Sequence, residues 1–127
     1  MKFAKYTFLI AGLYGLLALL PMYLMETRYG AENPPPISHP EFYYGFIGVA
    51  VAFQLVFIVI SRDPLKYKAL ILPSIVEKFS FVIAIAALLI AGRVSGQIII
   101  GAAIDAALGT LFTIALLRLP QTGTVNG

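Results

Sequence analysis

The run LILPSIVEKFSFVIAIAALLIA, residues 70–91, decides the fold. It is continuous rather than alternating in hydrophobicity, it is as long as the ~20 residues needed to cross a ~30 Å hydrocarbon core, and it carries Glu77 and Lys78 within it. Three more runs of the same kind flank it, so the chain reads as helices at about 6–25, 42–61, 64–92 and 98–117. A β-barrel is excluded, because the runs do not alternate and lipid-exposed backbone must then satisfy its own hydrogen bonds as helix. The fold class expected is therefore an all-α membrane protein: a single four-transmembrane-helix bundle over residues 1–127, with a Pro-rich external loop at 26–41 and a flexible tail at 119–127.

Composition agrees. Hydrophobic residues make up 60% of the 127 and charged ones 12%, where soluble domains carry about 25% charged residues. The absence of cysteine excludes disulfides, thiolate metal sites and cysteine nucleophiles. The net charge of +3 does not signal nucleic acid, because the basic residues stand singly at the ends of apolar runs, where they anchor helices.

Those basic residues also set the expected orientation. Lys2, Lys5, Arg62, Lys66, Lys68 and Arg118 fall on one side and only Arg28 and Arg93 on the other, so both termini are expected in the cytoplasm. Lys2 and Lys5 ahead of an apolar run also begin a secretory signal, but Leu20 to Leu24 offer no small-x-small cleavage site, and a retained first helix is expected. Arg62, Lys66 and Lys68 are read as lipid-interface anchors.

The connections carry helix signals. Pro34, Pro35, Pro36 and Pro40 predict a stiff, extended external loop, closed by a capping box of Ser38 and Glu41 with Pro40 in the first turn. His39, beside it, reads as a cap or solvated loop residue rather than a pH sensor. On the other side, Asp63 followed by Pro64 predicts the start of the third helix.

The candidate site comes from polar residues in apolar runs: Gln54, Glu77, Lys78 and Asp105. A charged group at mid-helix costs ~2.5–3.5 kcal/mol on insertion scales, so such groups face protein and are functional candidates. Glu77 shares a helical face with Ser80, Ala84, Ala87 and Ala91, a small-residue stripe that predicts an inward face. Lys78 shares its face with Phe81, Val82, Ile85 and Leu89, which predicts a lipid-facing lysine reaching back to the surface as a fourth anchor. Asp105 lies between Gly101 and Gly109 on a packing face. Helical rise places Gln54, Glu77 and Tyr14 in one layer and leaves roughly 8 Å along the membrane normal between the two acids, room for a water or small ligand. These four residues, Glu77, Asp105, Gln54 and Tyr14, are the ligand or proton site candidates; no catalytic residue, metal ligand or cofactor is assigned.

The run Phe42-Tyr43-Tyr44-Gly45-Phe46-Ile47-Gly48 through Gln54, with Arg62-Asp63-Pro64 and Glu77-Lys78-Phe79, resembles small four-helix bacterial membrane proteins that have no assigned function. The resemblance spans about the middle third of the chain and implies a bacterial inner-membrane location without implying a reaction. The layout is also similar to DoxX-like proteins and to small multidrug transporters, although the latter carry their glutamate in the first helix. The function expected is a non-enzymatic accessory or scaffold subunit with a polar intramembrane site. The alternatives are a proton-coupled or cation-handling transporter working as a homodimer, and an intramembrane lipid-modifying enzyme using its two acids. The partners expected are the lipid bilayer and, across the small-residue faces, a second copy or another membrane protein.

Overall fold

In the computed structural model, which describes residues 2–120, five α-helices account for most of the chain: α1 (Lys2–Leu19), α2 (Glu26–Glu32), α3 (Pro40–Arg62), α4 (Ile71–Ile90) and α5 (Gln97–Arg118). All but α2, with their 3-10 extensions, are long and apolar enough to cross a membrane. Leu20–Leu24 prolongs α1 as a 3-10 turn around Pro21, whose missing N–H breaks the α-helical ladder there. Lys68–Leu70 leads into α4, and Pro73 sits in that helix's first turn, where no intrahelical donor is required.

The connections depart from the sequence expectations in three places. The external segment is not extended throughout: Glu26–Glu32 is helical, because the prolines begin only at Pro34. The residue that opens α3 is His39 rather than Ser38. Its carbonyl accepts from the Phe42 and Tyr43 amides at 3.0 and 3.3 Å, and no side chain caps the helix, while Glu41 approaches the His39 ring at 3.7 Å instead of closing a capping box. Asp63 does cap, but it caps a turn: its carboxylate accepts from the Lys66 amide at 3.2 Å, and α4 begins only at Ile71. The α4–α5 turn relies on Gly92 and Gly96, at φ 72° and 81°. Arg93 N–H donates to the Leu88 carbonyl at 2.8 Å and Gly92 N–H to that of Leu89 at 3.0 Å, the six-to-one and five-to-two pattern of a Schellman ending.

Two intimate helix pairs build the bundle. α1 lies against α3 where Gly12 and Gly15 let the backbones approach, and α4 lies against α5 where Gly109 receives the Phe79 ring. The pairs join through a core near the end formed by the start of α1 and the end of α5. There Phe8, Phe57 and Phe112 are fully buried, with Phe8 stacked on Phe112 at 4.2 Å and Phe57 edge-on to Phe112 at 4.9 Å. Ala4, Ile60, Ile71, Ala115 and Leu119 complete it. Leu119, expected to begin the tail, is thus packed, and the Pro120 carbonyl accepts from Lys68 Nζ at 2.9 Å; residues 121–127 of that tail lie outside the described residues.

At the opposite end, tyrosines hold the external segment in place. Tyr43 donates to the Met22 carbonyl at 2.7 Å and Tyr44 to Glu26 Oε1 at 3.0 Å, with Tyr23 stacked on Tyr44. An amphipathic ring with one polar tip is suited to a water–lipid boundary, where it can bury its body and still satisfy its hydroxyl.

Candidate functional site

α4 turns the other way from the sequence expectation. Ile71, Ser74, Lys78 and Ile85 form its buried face, at i, i+3, i+7 and i+14, and Lys78 is only 4% exposed. Ser80, Ala84 and Ala87 face outward, and among the described residues no helix covers them. Lys78 is therefore not a lipid-interface anchor. Its ammonium lies 3.3 Å from Asp105 Oδ1 and 3.6 Å from Glu77 Oε1, and 5.2 Å over the Phe57 ring. The inward rotation places the ammonium beside two carboxyl groups and an aromatic ring, and it leaves Phe81 and Val82 half-buried, which costs little where the surroundings are lipid.

The space expected between the two acids is thus occupied by the chain itself. Asp105 is presented by α5 one turn before Gly109, whose lack of a side chain lets Phe79 and the Lys78 stem lie close. Gly101, the other glycine of the expected pair, faces open space. Glu77 sits beside Lys78 on the outer margin of the cluster, with its side chain 18% exposed. Its Oε1 is shielded yet has no hydrogen-bond partner, since the ammonium at 3.6 Å is at ion-pair rather than hydrogen-bond range. With all three groups ionised, the cluster holds two negative charges and one positive.

Gln54 and Tyr14 do not join this cluster. Gln54 is 2% exposed, but its Nε2 donates to the Ala50 carbonyl of its own helix at 2.8 Å, and its amide rests over Gly15. Its Oε1 also lacks a partner. Tyr14 lies on the outer surface of α1, 42% exposed. The layer expected of Gln54, Glu77 and Tyr14 is not formed, because equal depth places residues on one level without bringing them to one face. The anchors Arg62 and Lys66 are exposed and Lys68 is half-buried, at the end of the bundle where α5 finishes.

Beside the cluster, α3 and α4 diverge and leave a furrow. Two adjoining hollows of about 490 and 540 Å³ share Val49, Glu77 and Ser80. The first extends toward Phe42 and Phe46, the second toward Phe53 and Pro73, and Phe46 stacked on Phe81 at 6.1 Å marks where the two helices touch. Apart from Glu77 and Ser80, the walls are apolar. Among the described residues no group of three or more His, Cys, Asp or Glu side chains is placed to hold a metal ion.

No protein-family model matches the chain, and no curated protein or solved structure matches it. The functional reading therefore rests on the geometry of the Lys78 cluster and its furrow.

Proposed function

We propose that the chain is a multi-pass integral membrane protein that acts as a non-enzymatic accessory or scaffold subunit, inserted with both termini in the cytoplasm. The four long apolar helices support insertion, and the gathering of Lys2, Lys5, Arg62, Lys66, Lys68 and Arg118 at one end supports the orientation. The observation that carries the functional reading is the position of Lys78 between two carboxylates on α4 and α5. A tethered ammonium is an internal counter-ion that joins two helices and leaves no charge-driven need for a diffusible cation at Asp105.

Orientation is tested with single cysteines, which the native chain lacks. Asn33→Cys is expected to react with a membrane-impermeant maleimide added outside right-side-out vesicles, and Lys66→Cys only after the membrane is opened. The reverse pattern contradicts the orientation; labelling of both without opening contradicts insertion.

The second reading, a proton-coupled or cation-handling transporter working as a homodimer, is favoured by one observation: Glu77 is an acid lining an otherwise almost wholly apolar furrow, with its side chain 18% exposed. Proteoliposome flux separates the two. The accessory reading predicts that an imposed proton gradient drives no saturable movement of protons or of a lipophilic amine above the rate of protein-free vesicles. Saturable flux abolished by Glu77→Gln establishes transport and removes the accessory reading.

A further inference from the structure

We propose that the groove between α1 and α5 is a binding site for one anionic phospholipid, with an acyl chain lying in the groove and the phosphate held between Lys2 and Arg118. The inference goes beyond the accessory reading. It rests on insertion in a bilayer and holds for either orientation of the chain.

The groove has the shape of an amphiphile's seat. A hollow of about 370 Å³ opens between the two helices, walled by Ile10, Leu108 and Leu111 in its deeper part and bordered by Lys2 and Phe3 where α1 starts. From Lys2 to Ile10, at ~1.5 Å per residue, it follows α1 for about 12 Å, most of the ~15 Å depth of one leaflet's hydrocarbon. It stops at Ile10, before the middle of the span Lys2–Leu24. A transmembrane helix needs a seat along the whole span, whereas a lipid of one leaflet needs only this half. Tyr6 and Thr7, about one turn below Lys2, put hydroxyls at the level where a phospholipid held there by its phosphate presents its ester oxygens.

Charge selects the headgroup. The Arg118 guanidinium lies over the Phe3 ring, 4.8 Å from its centre, and Phe3 lines the groove, so the guanidinium is held at the groove's mouth. Its N–H donors lie in the guanidinium plane as a fork that matches two oxygens of a phosphate. Lys2 borders the same mouth, and both cations are exposed. Among the described residues no carboxylate pairs with either, the ion pairs being those of Arg28, His39 and Lys78. Lys68, at the same end of the bundle, is by contrast already engaged with the Pro120 carbonyl. A soluble anion would leave the apolar hollow unfilled, and a hydrocarbon chain alone would leave both cations without a counter-ion. A choline headgroup would bring its own cation beside them, so a headgroup of net negative charge is preferred.

The test uses the full-length protein in phosphatidylcholine vesicles. The chain contains no tryptophan, so Tyr6→Trp places a single fluorescent reporter in the groove wall. Quenching by phospholipids brominated on their acyl chains is expected to show phosphatidylglycerol associating about fivefold more strongly than phosphatidylcholine. Lys2→Gln combined with Arg118→Gln, both at exposed positions, is expected to bring that ratio to about one with helix content unchanged. Val59→Trp, on α3 close to Arg62 and 38% exposed, is expected to report a ratio below about two, because only the general attraction of a basic bundle end acts there.

Equal quenching by the two lipids at Tyr6→Trp, or a preference that survives the double substitution, overturns the proposal. An equal preference at Val59→Trp also overturns it, by assigning the selectivity to the basic end as a whole. Quenching by a brominated fatty acid that depends on Lys2 and Arg118, without any preference among the phospholipids, assigns the groove to free fatty acids and overturns it as well. Failure of the lipid preference with the cysteine-labelling pattern intact removes this site alone; failure of insertion is registered separately, by that labelling.

Discussion

Lys78→Met is expected to lower the stability of the bundle by about 3 kcal/mol, the scale of removing one partner of a buried ion pair. Methionine preserves much of the stem's length and apolar contact, so the loss isolates the ammonium. Asp105 would then keep its place beside Gly109 and lose the cation at 3.3 Å, and Glu77 would lose its neighbour at 3.6 Å. The loss exceeds the ~0.6 kcal/mol average of interhelical hydrogen bonds in membranes because a charge is left without a partner, rather than a neutral donor finding another. Adding Asp105→Leu is expected to restore most of the stability, since the uncompensated acid is removed with the lysine. Equilibrium unfolding in bicelles gives both values. An Lys78→Met variant within about 0.5 kcal/mol of the parent would mean that the ammonium is not held by the cluster.

The second large effect is expected at Gly12. A Cβ there would meet the Gln54 backbone carbonyl at 2.9 Å and Ile58 Cγ1 at 2.7 Å. A backbone oxygen inside α3 cannot rotate aside, so any side chain at this position must push the two helices apart. Gly12→Leu is expected to cost about 3 kcal/mol, the upper part of the range for overpacking, and Gly12→Ala about 1 kcal/mol. Gly15 behaves differently, because the atoms its Cβ would overlap belong to the Gln54 side chain. Gly15→Ala is expected to be destabilising in the parent and nearly neutral in a Gln54→Ala background, since truncating the amide vacates the space. Unfolding of the single and double variants in the same bicelles measures the coupling; equal costs of Gly15→Ala in both backgrounds would show that the α1–α3 seam does not close over Gln54.

These two seams also show what the sequence discloses. The four long helices are legible because each is a run of apolar residues longer than a bilayer requires, and length and hydropathy are local properties. On α1 the small residues divide: Ala11 and Gly15 are buried, whereas Ala18, in the same helical register, is exposed. On α4 the small-residue stripe misled. Ser80, Ala84 and Ala87 look like a packing face, yet they point outward, and the bulkier face with Lys78 points in. Small residues say only that a helix can be approached, not that a helix of the same chain does so. The inward face of α4 meets Asp105, 27 residues further on, and no periodicity within α4 registers a charge on another helix. The available signal was the chemistry of the pair: a lysine near mid-span and an aspartate near mid-span on the next helix satisfy each other.

The departures at helix starts have a similar cause. Ser38 and Glu41 have the right spacing for a capping box, and Asp63-Pro64 has the right order for a helix start, but both motifs describe a local turn that several continuations satisfy. At Asp63 the side chain makes the expected hydrogen bond to the amide three residues on, and the turn then passes through Lys66–Lys68 before α4 begins.

The claim on which the rest depends is that Lys78 turns inward and pairs with Asp105 across the α4–α5 seam. The most direct measurement is a charge-exchange cycle: unfolding free energies in bicelles for the parent, Lys78→Asp, Asp105→Lys and the double exchange. Inward pairing predicts that each single exchange is strongly destabilising and that the double variant is more stable than their sum by at least about 1 kcal/mol, well outside ordinary additivity. Additive losses, with a coupling within about 0.5 kcal/mol of zero, would place the lysine outside the cluster and contradict the account.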